Sequence, residues 1–360
     1  MLNYLTNIFI NCYLFKEENT LLNNTNTITK DFLSLQNVWK ARNTIKQIIT
    51  KTPLVYSPIL SSITGKNIYL KYEHMHESGA FKMRGAANAL LQLSEKEKSI
   101  GVTTFSTGNH GLAVALVAKK LGIRAVICVS TRVPSSKLDR IKELGAELEI
   151  YGEGQDDAER RCYQLEQEQG LKVIPPFDHL DIIAGQGTIA LELLEDLPSI
   201  DCVIGGLSGG GLLAGIGLVM KTTNLDITVL GLSMEKGAVM HESLKAGNPV
   251  VLNEYNTLAD SLLGGLGRNN TYTFPLIKEY VDQSVLVSEE TIAKGMALLY
   301  KHHRIIVEGA AAIGVGAIAD GTLNVPGQNV AIIISGCNVD LDSHYQAVLP
   351  YIANSSNPIF

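Results

Sequence analysis

From about residue 40 onward, short apolar runs alternate with longer segments whose apolar residues recur at helical spacing. The short runs predict strands over 67–72, 101–106, 124–129, 147–151, 202–205, 228–233 and 330–335. The longer segments predict helices over 85–93, 109–121, 136–144, 156–169, 212–221, 239–245, 289–302 and 310–319. Strands that alternate with helices of this length imply βαβ units, hence an α/β fold of parallel-rich twisted sheets flanked by helices. No internal repeat of fixed period is visible. In such open sheets ligands collect at the carboxyl ends of strands, where the strand-to-helix turns lie.

Composition narrows the picture. The chain has 360 residues, of which 46% are hydrophobic and 18% charged, enough for about two domains with a large core. A net charge of -6 and the lack of a basic stripe argue against a nucleic-acid partner. Cys12, Cys128, Cys162, Cys202 and Cys337 are scattered and form no C-x-x-C, which fits a reducing cytoplasm and neither a disulfide framework nor a zinc site. No apolar run approaches the roughly 20 residues needed to span a bilayer, so no membrane partner is expected. Residues 1–36 lack a basic n-region and a small-residue cleavage site, and they carry a biased Asn/Thr/Leu tract. They are expected to form an extension outside the fold.

Candidate chemistry sits at three turns. The segment Ser78-Gly79-Ala80-Phe81-Lys82-Met83-Arg84-Gly85 puts one lysine in an apolar setting where a helix begins. An isolated lysine is most often a solvated surface residue, but a desolvated one is a nucleophile able to form a Schiff base with an aldehyde cofactor. The run Gly205-Gly206-Leu207-Ser208-Gly209-Gly210-Gly211-Leu212 follows a strand and opens a helix, which suits a phosphate. Read alone, it also fits a dinucleotide fingerprint, Gly209-x-Gly211-x-x-Ala214 with Glu235 about 20 residues on, and so an NAD-dependent dehydrogenase. The turn Ser106-Thr107-Gly108-Asn109-His110 ends a strand and suits either a helix cap or a carboxylate clamp. Ser335 follows the last apolar strand, where a neutral hydroxyl can meet a pyridine nitrogen. His74 and His76 have no third partner at metal-ligand spacing. A reactive amine, a polar turn and a glycine cradle together point to pyridoxal phosphate, because a dehydrogenase leaves Lys82 and Asn109 without a role.

With these motifs in this order, the chain resembles the fold type II pyridoxal-phosphate enzymes, the tryptophan synthase β-like fold, and within them the threonine/serine dehydratase and serine racemase group. The likeness runs from about residue 37 to 345. It implies that Lys82 carries the cofactor, that Phe81 packs beside it, and that Asn109 meets the ring hydroxyl. It implies that Ser208, Gly209, Gly210, Gly211 and Leu212 hold the phosphate and that Ser335 meets the pyridine nitrogen. Ser106, Thr107, Gly108 and His110 would then contact the substrate, with Lys82 and Thr107 catalytic. The phrases Pro176-Phe177-Asp178-His179, Ala184-Gly185-Gln186-Gly187-Thr188, Met240-His241-Glu242-Ser243-Leu244 and Thr257-Leu258-Ala259-Asp260-Ser261-Leu262 look most like the hydroxyectoine-utilisation dehydratase branch.

The reaction so implied removes the β-hydroxyl of a hydroxy amino acid and releases a 2-keto acid and ammonia. The substrate would be threonine, serine or a hydroxyectoine-derived compound. Racemisation and non-catalytic cofactor binding are the alternatives within the group. Residues 37–98 with 180–345 would form a large cofactor-binding domain, 99–179 a small mobile domain, and 346–360 a tail. A homodimer or higher homo-oligomer is expected, without a C-terminal regulatory domain. Three departures matter. Ala80 replaces a serine, Thr107 stands where racemases carry a serine, and Ser233 and Val239 stand where many relatives place acidic cation ligands. The last departure predicts no metal site.

Overall fold

The computed structural model describes residues 33–106, 108–131, 135–267 and 270–353. The chain enters through α1 (Leu35–Ile45), β1 (Leu54–Tyr56), α2 (Pro58–Thr64) and β2 (Asn67–Lys71). Next come α3 (Lys82–Leu91), α4 (Glu95–Ile100), β3 (Val102–Thr104), α5 (Asn109–Leu121), β4 (Ala125–Val129), α6 (Ser135–Glu143), β5 (Glu147–Ile150), α7 (Gln155–Gln169) and β6 (Lys172–Val173). Then follow α8 (Leu180–Asp196), β7 (Cys202–Gly206), α9 (Gly211–Thr223), β8 (Thr228–Met234), α10 (Val239–Ala246), α11 (Thr273–Tyr280) and β9 (Gln283–Val287). The chain closes with α12 (Glu289–Leu298), α13 (Gly309–Ala319), β10 (Asn329–Ile333) and α14 (Leu341–Ile352).

Two sheets result. A six-stranded sheet has the order β1-β2-β10-β7-β8-β9, parallel except for β1. A four-stranded, wholly parallel sheet has the order β5-β4-β3-β6. All strands of the smaller sheet come from residues 102–173, inserted between β2 and β7 of the larger one. The continuous burial of Cys202 to Gly205 and of β10 from Val330 follows from helices on both faces, as parallel strands require.

Three helices meet almost backbone to backbone under the lysine segment. A Cβ on Gly185 of α8 would lie 2.7 Å from the Arg84 carbonyl of α3, and one on Gly215 of α9 would lie 2.3 Å from the Ile183 carbonyl. Glycine is thus what permits α8 to cross both neighbours. Beneath α3 lies a buried ion cluster. Arg84 donates from Nε to Glu73 at 2.7 Å and from its terminal nitrogens to Glu192 at 2.7 and 2.8 Å. Lys71 Nζ donates to Glu192 at 2.6 Å and to the Thr52 carbonyl at 2.7 Å. Burial alone would raise the Glu73 carboxyl, but Arg84 and His76 outweigh it and hold it well below the usual carboxylate range. The cluster fixes the start of α3 on β2 and α8.

Three expected boundaries are corrected. Leu33 is buried and α1 starts at Leu35, because Val38 and Ala41 pack into the core beside α8 and α9. Residues 33–36 therefore belong to the fold, and the rest of the expected extension, residues 1–32, lies outside the described residues. The tail likewise begins later than 346, since α14 runs to Ile352 and buries Val348. The helix expected over 289–302 ends at Leu298 and passes into a wider turn, Leu299–His303, stopped by Arg304 at φ 61°. Among the described residues no helix is long and apolar enough to cross a membrane.

Candidate active site

Strand ends and helix starts converge on a cavity of about 720 Å³ between the two sheets. Phe81, Lys82, Ser106, Gly108, Asn109, His110, Ser208, Gly209, Gly210, Gly211, Leu212 and Ser335 all line it. Thr107 lies outside the described residues. The lysine and serine segments are laced together. Phe81 N–H donates to the Ser335 carbonyl at 3.0 Å, and Cys337 N–H donates to the Gly79 carbonyl at 2.9 Å.

Lys82 is the first residue of α3. Its Nζ donates to the Pro176 carbonyl at 2.6 Å and lies 5.4 Å from the centre of the Phe81 ring. The side chain keeps some accessible surface where it lines the cavity, yet protein crowds the amine. Burial pushes its pKa down to about 8, against the opposing pull of the Glu308 carboxylate. A lysine so placed holds a substantial neutral fraction near pH 7, which nucleophilic attack requires.

The glycine turn joins β7 to α9. Gly210 has φ +89°, a conformation that side chains rarely adopt. A Cβ there would stand 2.9 Å from both Met240 Cε and Ile277 Cγ1, and one on Gly209 would stand 2.4 Å from the Phe177 ring. Only bare backbone fits this wall. The first-turn N–H groups of α9 have no helical partners, and the helix dipole adds positive potential. A phosphate matches that cradle.

The polar turn opens α5. Asn109 Nδ2 donates to both oxygens of Glu308 at 3.0 Å. His110 Nε2 bonds the Ile174 carbonyl at 2.9 Å, which makes Nε2 the protonated nitrogen. Burial, then the nearby Lys82, push the imidazole pKa down to about 3 despite that bond. The ring is neutral, and its buried Nδ1 has no partner among the described residues. That nitrogen is a free acceptor on a residue that lines the cavity. These residues fit pyridoxal phosphate: an amine for the aldehyde, a cradle for the phosphate, and Asn109 and Ser335 for the ring.

Sequence reasoning missed the roles of several residues in or behind the cavity wall. Glu308, buried ahead of α13, also accepts from Ser261 Oγ at 3.0 Å. Pro176, Phe177 and Asp178 act in succession. Pro176 receives the Lys82 amine, Phe177 walls the glycine turn, and Asp178 accepts the N–H groups of Thr271, Tyr272 and Thr273 at 2.7–2.8 Å. Their signal was visible only as a phrase, since each role needs a distant partner. Glu235, the acid of the dinucleotide alternative, is exposed at the end of β8 and does not line the cavity. Ser233 and Val239 are both buried, and among the described residues no group of three His, Cys, Asp or Glu stands together to hold a metal ion.

Known proteins resemble this chain over most of its length. Residues 45–336 match the family described as pyridoxal-phosphate dependent enzyme. A Sinorhizobium fredii protein provisionally named threonine dehydratase is 44% identical over 88% of this chain and 95% of its own length. The L-threonine ammonia-lyase of Thermotoga maritima is 37% identical over 91% of this chain and 81% of its own. The structure of a serine racemase from Dictyostelium discoideum is similar with a TM-score of 0.80 and 36% identity, covering 86% of this chain and 100% of its own. The lysine, the glycine cradle and the polar turn thus stand in a chain that belongs to the pyridoxal-phosphate-dependent enzymes.

Proposed function

We propose that this chain is a lyase that removes the β-hydroxyl of a β-hydroxy amino acid as water, after which a water hydrolyses the resulting enamine's imine form to a 2-keto acid and ammonia. The observation that carries the reading is the Lys82 amine, brought to a pKa of about 8 within a cavity that also holds an anion cradle and a neutral polar turn. Bound pyridoxal phosphate supplies the electron sink for the substrate α-carbon. Lys82 holds the cofactor and, once released by the substrate amine, takes the α-proton as a neutral base. The turn from Ser208 to Leu212 binds the phosphate, while Asn109 and Ser335 orient the ring. Backbone N–H groups at Ser106, Gly108 and His110 receive the substrate carboxylate at the start of α5. A neutral Ser335 leaves the ring nitrogen largely unprotonated, which favours elimination over transamination. The insert carrying the smaller sheet is read as the mobile domain that closes on the substrate.

The substrate class is read as threonine or serine, by likeness to the dehydratase and ammonia-lyase relatives, with a hydroxyectoine-derived amino acid as the third candidate. The test is a keto-acid and ammonia assay on that panel, with the opposite enantiomer measured in parallel. Lys82→Ala should lose covalent cofactor attachment and turnover together. Full turnover in that variant overturns the reading. Racemisation outrunning elimination overturns the reaction assignment, and cofactor uptake with no turnover on the panel makes the chain a binder.

A further inference from the structure

We infer that Arg140 and Asn338 are positioning residues that set which way the Asn109 amide faces the cofactor ring. The inference rests on Asn109 being a ring contact, as proposed above. Arg140, exposed on α6 at the rim of the cavity, donates to Asn338 Oδ1 at 2.9 Å. Asn338 Nδ2 donates to the Ser78 carbonyl at 2.8 Å and to Asn109 Oδ1 at 2.7 Å. Asn109 Nδ2 then donates to Glu308.

The polarity of this chain is forced from both ends. A guanidinium only donates, and an ionised carboxylate only accepts. Asn338 is fixed a second time, because the Ser78 carbonyl also demands a donor. Asn109 must therefore turn its oxygen to Asn338 and its nitrogen to Glu308. Both Glu308 contacts lie on one carboxylate, so one Asn109 hydrogen serves them and the other remains for a ligand. The relay presents the cofactor with a donor and never an acceptor.

Space for the relay is built into the lysine segment. Gly79 has φ +76°, and a Cβ there would stand 2.6 Å from Asn338 Oδ1. Any side chain at that position would evict the amide. The relay also crosses between the two sheet units three times, from Arg140 to Asn338, back to Asn109, and on to Glu308. It is complete only when the insert sits against the larger unit.

The test reads the cofactor before any substrate is added, so missing keto acid would count against the lyase reading alone. Apo protein is titrated with pyridoxal phosphate, recording affinity and the ratio of the cofactor's long- and short-wavelength absorption bands. That ratio reports protonation at the ring hydroxyl. Arg140→Met keeps the length of the side chain on an exposed helix face but cannot donate. It should weaken affinity about 3- to 10-fold and shift the band ratio. Arg140→Lys, still a donor, should restore most of both. Asn338→Asp sets oxygen against two acceptors and should cost about tenfold or more. Arg140→Met with unchanged affinity and band ratio overturns the inference. The same variant raising KM alone also overturns it, by making Arg140 a substrate contact instead.

Discussion

Replacing Glu308 by Gln tests the electrostatics of the reactive lysine most directly. Gln keeps the shape of the side chain and a carbonyl to accept from Asn109, but it removes the charge. In the present chain burial pushes the Lys82 amine to about 8, and Glu308 works against that push by favouring the ammonium form. At pH 7 such an amine is about 9% neutral, against about 0.03% for a lysine at the ordinary 10.5, a gain of about 300-fold. Without the carboxylate the ammonium loses its stabilising partner, so the midpoint must fall below about 8. Since the neutral fraction cannot exceed one, the gain in capture at pH 7 is capped at about elevenfold. The assay follows the initial rate at which apo protein traps pyridoxal phosphate covalently, from pH 6 to 10, each point divided by the rate of a free model amine at that pH. The midpoint is diagnostic and the absolute rate is not, because losing a negative charge speeds approach of an anionic aldehyde at every pH. A midpoint that rises in Glu308→Gln refutes the assignment of Glu308 as the opposing charge. A midpoint near 10 in the unaltered chain refutes the burial argument itself.

Three further outcomes follow from the same geometry. Gly210→Val places a branched side chain at φ +89° against Met240 and Ile277, and should reduce pyridoxal-phosphate affinity in a titration by about 100-fold or more. Arg84→Met removes the guanidinium shared by Glu73 and Glu192, leaves two buried carboxylates against Lys71 and His76, and should cost about 3–5 kcal/mol in denaturant unfolding. Chelator should leave turnover nearly unchanged, because Ser233 and Val239 offer no carboxylate; activity lost with EDTA and restored by magnesium would overturn this.

Much of the sheet framework was legible because buried parallel strands read as unbroken apolar runs. Helix α5 begins and ends where its periodicity puts it, at Asn109 and Leu121. Helix α8 escaped notice. Its phrase Ala184-Gly185-Gln186-Gly187-Thr188 carried a family likeness but no assigned element, and its two glycines give close approach to α3 and α9. The edge strands β1 and β6, three and two residues long, are too short to carry a period. The motif residues of the cavity were visible because each sits at a strand-to-helix turn with a distinctive composition. Glu308 was not, since an acid before an Ala-rich helix reads as an ordinary cap, and Asn338 was visible only as a motif neighbour of Ser335, without its role. Their contact with Asn109 spans 199 and 229 positions of chain.

The ion cluster beneath α3 also limits how this sequence can drift by descent. Two cations, Lys71 and Arg84, balance two carboxylates, Glu73 and Glu192, where water cannot compensate a missing member. Losing any one of the four leaves a stranded charge, so a neutral route to a different cluster requires paired changes arriving together. Arg84 and Glu192 lie 108 positions apart, in segments that single mutations alter independently. The stretch around Lys82 is therefore constrained by its foundations as well as by its chemistry. Lineages that keep the fold while abandoning the reaction would be expected to lose Lys82 before they lose Arg84.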